Sequence, residues 1–102
     1  MLQFFKKMFA PHKTDFKALT GNGAIIIDVR SAAEYAAGHI PGSKNIPLNT
    51  LKSELSTLKK KGKPVITVCL SGTRSGLAKK MLAASGIEAY NGGPWHVLQK
   101  KL

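Results

Sequence analysis

Two runs of aliphatic and β-branched residues constrain the fold of this chain more than any other feature. Residues 25–29 read Ile-Ile-Ile-Asp-Val, and residues 64–69 read Pro-Val-Ile-Thr-Val-Cys. Continuous apolar runs of this kind are typical of strands that are covered on both faces, as in parallel sheets. Because segments with helical periodicity alternate with the strands, the sequence predicts an α/β fold. We expect a mainly parallel central sheet with helices on both faces.

Capping signals and apolar spacing predict the helix boundaries. Thr14 is the predicted N-cap of a first short helix, and Ser31 with Glu34 forms a capping box that opens a second. Leucines at i, i+4 and i+7 predict an amphipathic helix in the middle of the chain. The later helices are predicted over residues 51–60, about 75–85 with Gly86 as the C-cap, and 95–100.

Two shorter strands complete the predicted sheet. Residues 45–47 read Asn-Ile-Pro, and the proline favours a place near the sheet edge. Residues 87–90 are the predicted last strand, and Asn-Gly-Gly at 91–93 is a turn signal before the final helix. Asp28 and Cys69 end the two central strands. We therefore expect both at the carboxyl edge of the sheet, where parallel sheets bind their ligands.

Length and charge bound the functional classes. The 102 residues suffice for one domain, which we place at residues 14–102 behind an N-terminal extension of residues 1–13. The net charge is +11, with 14 lysines but only two arginines. We expect a solvated, soluble surface. The alternatives are attraction of small anions, nonspecific binding of nucleic acid or membrane, and docking onto an acidic protein partner. Specific nucleic-acid recognition favours arginine and interleaved aromatics, so we do not expect it.

The N-terminal segment carries four apolar residues that can share one helical face, Phe4, Phe5, Met8 and Phe9. We expect a short helix that packs on the body or frays, rather than one that lies on a membrane surface. No apolar run approaches the ~20 residues of a membrane span, and no signal-peptide pattern precedes the domain. The single cysteine excludes an internal disulfide and fits a reducing compartment, so the expected location is cytoplasmic.

Cys69 is the residue that most strongly suggests chemistry. It ends a predicted strand and faces the start of a helix, whose dipole favours an anion there. Gly72 lets the loop curl so that the loop amides surround the sulfur. The small side chains of Ser71 and Thr73 keep the pocket around the sulfur open. A lowered pKa is therefore expected for the Cys69 thiol. Arg74 is expected to hold a divalent anion by paired hydrogen bonds. The alternative is a buried, inert cysteine.

Three ordered blocks of sequence resemble the single-domain rhodanese family over residues 14–98. The first block is Ile27-Asp28-Val29-Arg30, Glu34-Tyr35, Gly38-His39-Ile40-Pro41-Gly42-Ser43 and Asn45-Ile46-Pro47; the second is Cys69 to Arg74; the third is Asn91-Gly92-Gly93 with Trp95. The resemblance implies a rhodanese-like three-layer fold. It also implies a sulfurtransferase that moves a sulfane sulfur from thiosulfate or a persulfide donor to a thiol or cyanide acceptor.

The resemblance also assigns roles to residues. Cys69 is the implied nucleophile and persulfide carrier, as in double-displacement catalysis. The implied substrate-binding loop consists of Leu70, Ser71, Gly72, Thr73 and Arg74. The supporting residues are Asp28, Arg30, Glu34, His39 and Ser75, which we expect chiefly to position the loop and the strand ends. Because the sequence has no second cysteine, the persulfide is expected to discharge to an outside nucleophile.

Further alternatives and expected absences follow from the same residues. His39 is expected to be a scaffold residue rather than a general base, and Trp95 a core or cleft-wall residue. His12 and His96 lack metal-ligand spacing, so we expect neither a metal nor a cofactor. A phosphatase or arsenate reductase of the same fold is a rival, although such phosphatases have five residues between cysteine and arginine and this loop has four. A second rival is a non-catalytic or carrier rhodanese module.

Overall fold

The computed structural model describes residues 13–102, in which strands and helices alternate. The predicted N-terminal helix of residues 1–12 lies outside this range. None of the helices within it is long and apolar enough to cross a bilayer. The elements are α1 Phe16–Gly21, β1 Ile25–Asp28, α2 Ala32–Ala37, β2 Lys44–Asn45, α3 Leu48–Lys61, β3 Val65–Cys69, α4 Thr73–Ala84, β4 Ala89–Pro94 and α5 Trp95–Gln99.

The strands form one parallel sheet in the order β2-β1-β3-β4. The two apolar runs form its centre, where Ile25 pairs with Val65 and Asp28 pairs with Val68. The predicted parallel sheet is therefore confirmed, and the proline-adjacent strand β2 lies at an edge. Since β1 and β3 run in the same direction, Asp28 and Cys69 reach the same carboxyl edge.

Helices cover both faces of the sheet and create two apolar cores. Successive residues of a strand point to opposite faces, so a continuous apolar strand supplies both. Ile27 and Val65 pack against α3 and α4, and Ile26 and Ile66 pack on the side of α1 and α5. Cys69 belongs to the first of these cores. The loop of residues 70–72, which joins β3 to α4, lies at the carboxyl edge of the sheet.

Several predicted boundaries differ from the structure because local signals marked only part of each helix. The N-cap of α1 is Asp15 rather than Thr14, and its carboxylate accepts from the Ala18 amide at 3.0 Å. Helix α3 begins at Leu48, ahead of the predicted start at 51. The backbone N–H of Leu48 donates to the Val29 carbonyl oxygen. The leucine spacing marks the buried face of α3, whereas Pro47 marks its start. Strand β2 accordingly ends before Pro47 instead of including it.

Helix α4 also starts earlier than predicted, at Thr73 rather than 75. Its C-cap is Ser85, and the predicted cap Gly86 is the next residue, with a φ of 82°. Glycine is favoured in this left-handed position after a helix because it has no Cβ. The early start brings the first turn of α4 directly against the sulfur of Cys69.

The predicted turn at residues 91–93 is wrong, because β4 continues through it to Pro94. β4 pairs with β3 across an irregular register in which Thr67 is opposite Asn91 and Val68 is opposite Gly93. A Cβ at Gly92 would lie 2.9 Å from the carbonyl oxygen of Thr67. The glycine therefore permits a close approach of two strands rather than a reversal of the chain. This extension carries Asn91 into the region of Cys69.

Candidate active site

Cys69 closes β3 and is completely buried at the carboxyl edge of the sheet. The backbone N–H of Gly72 donates to its Sγ at 3.0 Å, and the N–H of Ser75 does so at 3.4 Å. The Ser75 Oγ lies 3.3 Å from the same sulfur. Gly72 has a φ of 101°, which turns the loop amide inward and which L side chains rarely adopt. The sulfur thus lies among donors supplied by the loop and the first turn of α4.

These contacts set the ionisation of the thiol. Burial raises the pKa of Cys69, since a charge is costly away from water. Hydrogen bonds from the backbone amides of Ser75, Gly72 and Ser71 act in the opposite direction, and the Ser75 hydroxyl joins them when its hydrogen turns from Asn91 to the sulfur. Together they outweigh burial, so the pKa of the thiol lies below its ordinary value. The lowered pKa agrees with the prediction from the sequence and favours a nucleophilic thiolate.

Ser75 is held in place from two strands. The Thr67 hydroxyl donates to the Ser75 carbonyl at 2.7 Å, which ties the first turn of α4 to β3. The Ser75 hydroxyl donates to Asn91 Oδ1 at 2.7 Å. The Asn91 Nδ2 donates to the Gly72 carbonyl at 3.1 Å, and its Oδ1 accepts from the Gly93 amide at 2.9 Å. β4 therefore braces both the loop and the residue that contacts the sulfur.

Arg74 is paired with a carboxylate from a distant part of the chain. Its two terminal nitrogens donate to Glu34 at 2.8 and 3.0 Å, and both side chains are about one third exposed. The Arg74 hydrogen bonds, with a further one from the Ser31 amide, lower the pKa of Glu34 to about 2. Glu34 in turn raises the pKa of Arg74. The anion clamp predicted at Arg74 therefore already engages a carboxylate of the protein itself.

A groove opens beside this ion pair. Its volume is about 350 Å³, and one wall is formed by Arg74 of α4. The other lining residues come from the ends of β1 and β2 and from the start of α3: Val29, Ser31, Pro47, Leu48 and Asn49. Arg74 is the one charged residue in the lining of this groove, and Cys69 does not line it.

Asp28 and Arg30 form a buried ion pair at the end of β1. Arg30 Nε lies 2.9 Å from one Asp28 oxygen, and its Nη2 lies 2.7 Å from the other. The same guanidinium donates to the Gly38 carbonyl at 2.7 Å and lies over the Trp95 ring at 4.9 Å. Its contacts in the described part of the chain thus join β1, the end of α2 and α5. This arrangement suits the positioning role that we expect for both residues.

His39 contacts a tyrosine of α2. Its Nδ1 lies 2.7 Å from the Tyr35 carbonyl oxygen, and the two rings stack with centroids 3.7 Å apart. The Tyr35 hydroxyl donates to the Ser43 carbonyl at 2.5 Å and closes the loop of residues 38–43. His96 lies edge-on to Trp95 at 6.0 Å, and His12 is outside the described residues. The contacts of His39 are those of a scaffold residue.

The structure divides the predicted site residues into two groups. The first group surrounds the sulfur of Cys69 and consists of its loop and Ser75. Glu34 and Arg74 lie at the rim of this group, and Leu70 is more than half exposed. Asp28, Arg30 and His39 lie at the same edge and contact the framework. Sequence reasoning missed Thr67 and Asn91. The lone hydroxyl within the apolar run of β3 was a usable signal for Thr67, whereas the signal at Asn91 was interpreted as a turn.

Comparison with known proteins identifies the family. Residues 12–94 match the family described as rhodanese-like domain. The chain belongs to the rhodanese-like domain family. Uncharacterized protein YqhL of Bacillus subtilis is 42% identical over 67% of this chain and 54% of its own length. Thiosulfate sulfurtransferase GlpE of Ectopseudomonas mendocina is 34% identical over 72% of this chain and 67% of its own.

A solved structure supports the same assignment for the rhodanese-like fold. The structure described as rhodanese with anions from E. coli has a TM-score of 0.67 and 33% sequence identity. The match covers 72% of this chain and 89% of that one. The predicted family and the predicted three-layer α/β fold are both confirmed. Relatives named as sulfurtransferases at moderate identity support an enzyme of the sulfur-transfer type in general terms.

Proposed function

We propose that this rhodanese-like chain is a sulfurtransferase that carries a sulfane sulfur on Cys69. The observation that carries the proposal is the sulfur at the end of β3, with the Gly72 and Ser75 amides directed at it. Amide donors stabilise a thiolate before the reaction and an anionic persulfide after it. The relatives named thiosulfate sulfurtransferase support the choice of chemistry.

The reaction proceeds by two displacements at sulfur. The Cys69 thiolate attacks the outer sulfur of thiosulfate and forms a sulfur–sulfur bond. The bond between that sulfur and the sulfonate group breaks, and sulfite leaves with its electron pair. An acceptor then attacks the terminal sulfur of the persulfide, which releases the Cys69 thiolate. Cyanide would leave as thiocyanate and a thiolate as a new persulfide.

The acceptor is supplied from outside, since this sequence has a single cysteine and no resolving thiol. A persulfide donor fits the same site, because its outer sulfur can be attacked in the same way. A free thiol with a lowered pKa suits a reducing compartment such as the cytoplasm, where we place the protein. Arg74, the only basic residue between Leu70 and Ser75, supports an anionic donor such as thiosulfate.

Intact mass after treatment with thiosulfate tests the proposal directly. We expect the wild-type chain to gain the mass of one sulfur atom, and cyanide to remove it as thiocyanate. Cys69→Ala should gain nothing, because it lacks the attacking sulfur. A wild type that stays unmodified with both thiosulfate and polysulfide would contradict the proposal. Phosphatase turnover in its place would favour the rival function.

Glu34→Gln is expected to improve binding of an anionic donor. The substitution frees the Arg74 guanidinium and removes a negative charge at the rim, while glutamine can still complete the capping box with Ser31. We expect KM for thiosulfate to fall about two- to fivefold, with little change in kcat, and the effect to shrink at high salt. Because the pKa of Glu34 is about 2, its carboxylate is ionised throughout any ordinary assay range.

Glu54→Gln is the matched control, since it removes the same charge from α3 rather than from the site. Steady-state kinetics should show no more than a small change for this variant. If Glu34→Gln instead raises KM, then Glu34 aligns Arg74 for the donor rather than competing with it.

The basic surface supports a second element of the proposal, docking onto an acidic protein partner. Lys44, Lys61 and Lys63 line an open hollow of about 410 Å³ at the amino edge of the sheet. Contact with Lys44, and to a smaller extent the charge of Lys63, lowers the pKa of Lys61. Carboxylates of a partner would relieve this repulsion while leaving the opposite, carboxyl edge open for sulfur transfer.

A further inference from the structure

The hydroxyl of Ser75 lies between two different partners. Its Oγ is 2.7 Å from Asn91 Oδ1 and 3.3 Å from Cys69 Sγ. A serine hydroxyl has one hydrogen, so it can donate fully to only one of them while its lone pairs face the other. The direction of this hydrogen decides whether Ser75 favours the thiolate or the thiol form of Cys69.

The neighbouring backbone fixes the side-chain amide of Asn91. Its Nδ2 faces the Gly72 carbonyl at 3.1 Å, and its Oδ1 faces the Gly93 amide at 2.9 Å. A half-turn of the amide would set its NH2 group against an N–H and its oxygen against a carbonyl. The oxygen is therefore the atom that meets Ser75. Because an amide oxygen only accepts, the Ser75 hydrogen points towards Asn91.

We propose that Asn91 is a positioning residue that restrains the reactivity of Cys69 by holding the hydrogen of the Ser75 hydroxyl. In this arrangement Ser75 presents lone pairs to the sulfur, which accept from S–H but repel a thiolate. Ionisation of Cys69 then proceeds without the hydroxyl or breaks its bond to Asn91. The inference rests on the proposed role of Cys69, but the ionisation of the thiol can be measured without any sulfur donor.

Other charges near the sulfur must stay constant in a test of this idea. They are Arg74 on α4, Glu34 bound to it from α2, and the pair of Asp28 and Arg30 at the end of β1. β4, which carries Asn91, contains no Asp, Glu, Lys, Arg or His. Substitution of Asn91 by an uncharged residue therefore leaves every one of these groups in place.

The test is a double-mutant cycle of Asn91→Leu and Ser75→Ala. The thiolate absorbance is followed against pH, and it reports on Cys69 alone because the chain has one cysteine. We expect Asn91→Leu to raise the acid dissociation constant of the thiol about three- to tenfold. This change corresponds to the net free energy of one hydrogen bond. In the Ser75→Ala background the same leucine should have no effect, since no hydroxyl remains to be released.

An unchanged or lower dissociation constant in Asn91→Leu would overturn the proposal. An equal increase in the Ser75→Ala background would also overturn it, because the cause would then be the lost contact to Gly72. Asn91→Ala is the second variant if the leucine does not fold; it admits water as a replacement acceptor and should give a smaller increase. The titration stays informative if the wild type fails to accept sulfur, so the two proposals can fail separately.

Discussion

Arg30→Met is expected to destabilise the fold by about 3–5 kcal/mol, the cost of leaving a buried charge without its partner. Arg30 is 3% exposed, and Asp28 is fully buried beside it. Methionine fills much of the space but cannot neutralise the carboxylate. It also loses the hydrogen bond to the Gly38 carbonyl and the contact over the Trp95 ring. Urea unfolding followed by the fluorescence of Trp95, the only tryptophan, measures the loss.

The other arginine provides the matched control. Arg74→Met makes the same substitution in an ion pair that is about one third exposed, and such pairs contribute less than about 1 kcal/mol. Addition of Asp28→Asn to Arg30→Met should recover part of the stability, because the isolated charge is then gone. If Arg30→Met kept its stability and lost sulfur transfer, Arg30 would be a site residue rather than a framework residue.

Gly92→Ala is expected to cost about 3 kcal/mol and to disturb the site as well. The new Cβ would lie 2.9 Å from the Thr67 carbonyl oxygen and 3.0 Å from side-chain atoms of both Ile66 and Leu98. Backbone cannot yield as a flexible side chain can, so β4 must move away from β3. That movement would draw Asn91 away from the loop of Cys69. We therefore expect a lower midpoint of urea unfolding for Gly92→Ala than for the wild type.

Gly21→Ala is the corresponding control for the glycine substitution. Gly21 ends α1, and no atom lies within 4 Å of the position of its missing Cβ. Alanine there should be neutral or stabilise the fold by up to about 1 kcal/mol, as expected from helix propensity. Equal stability of the two alanine variants would mean that β3 and β4 can separate without cost.

The fold was accessible from local sequence, and so was the residue that we propose as the nucleophile. The apolar runs at 25–29 and 64–69 determine a central parallel pair, because strands that are apolar on both faces need a helix layer on each side. Cys69 was conspicuous because a glycine-containing loop and an arginine follow it directly. Each of these signals lies within a stretch of a few residues and depends little on the rest of the chain.

The parts that sequence reasoning missed depend on contacts between distant residues. Asn-Gly-Gly at 91–93 is a strong local turn signal, but pairing with β3 overrides it, since Gly92 allows the two backbones to approach. The pairing of Arg74 with Glu34 joins residues 40 positions apart. No local pattern could therefore predict that Arg74, which we expected to bind an anion, already binds a carboxylate of the protein. Thr14 and Asp15 are adjacent and both can cap a helix, and the observed choice depends on where the packed helix begins.

The complete burial of Cys69 has a kinetic consequence. A sulfur without exposed surface is shielded from bulk solvent and from chance oxidants, and it is equally shielded from its own donor. If Cys69 attacks as we propose, we expect the loop after β3 to uncover the thiol briefly, and the frequency of this opening multiplies the intrinsic rate of displacement. The proposed persulfide would add a second sulfur to a side chain that has no exposed surface. We therefore expect the loaded protein to hold this loop further from the end of β3 than the resting protein does.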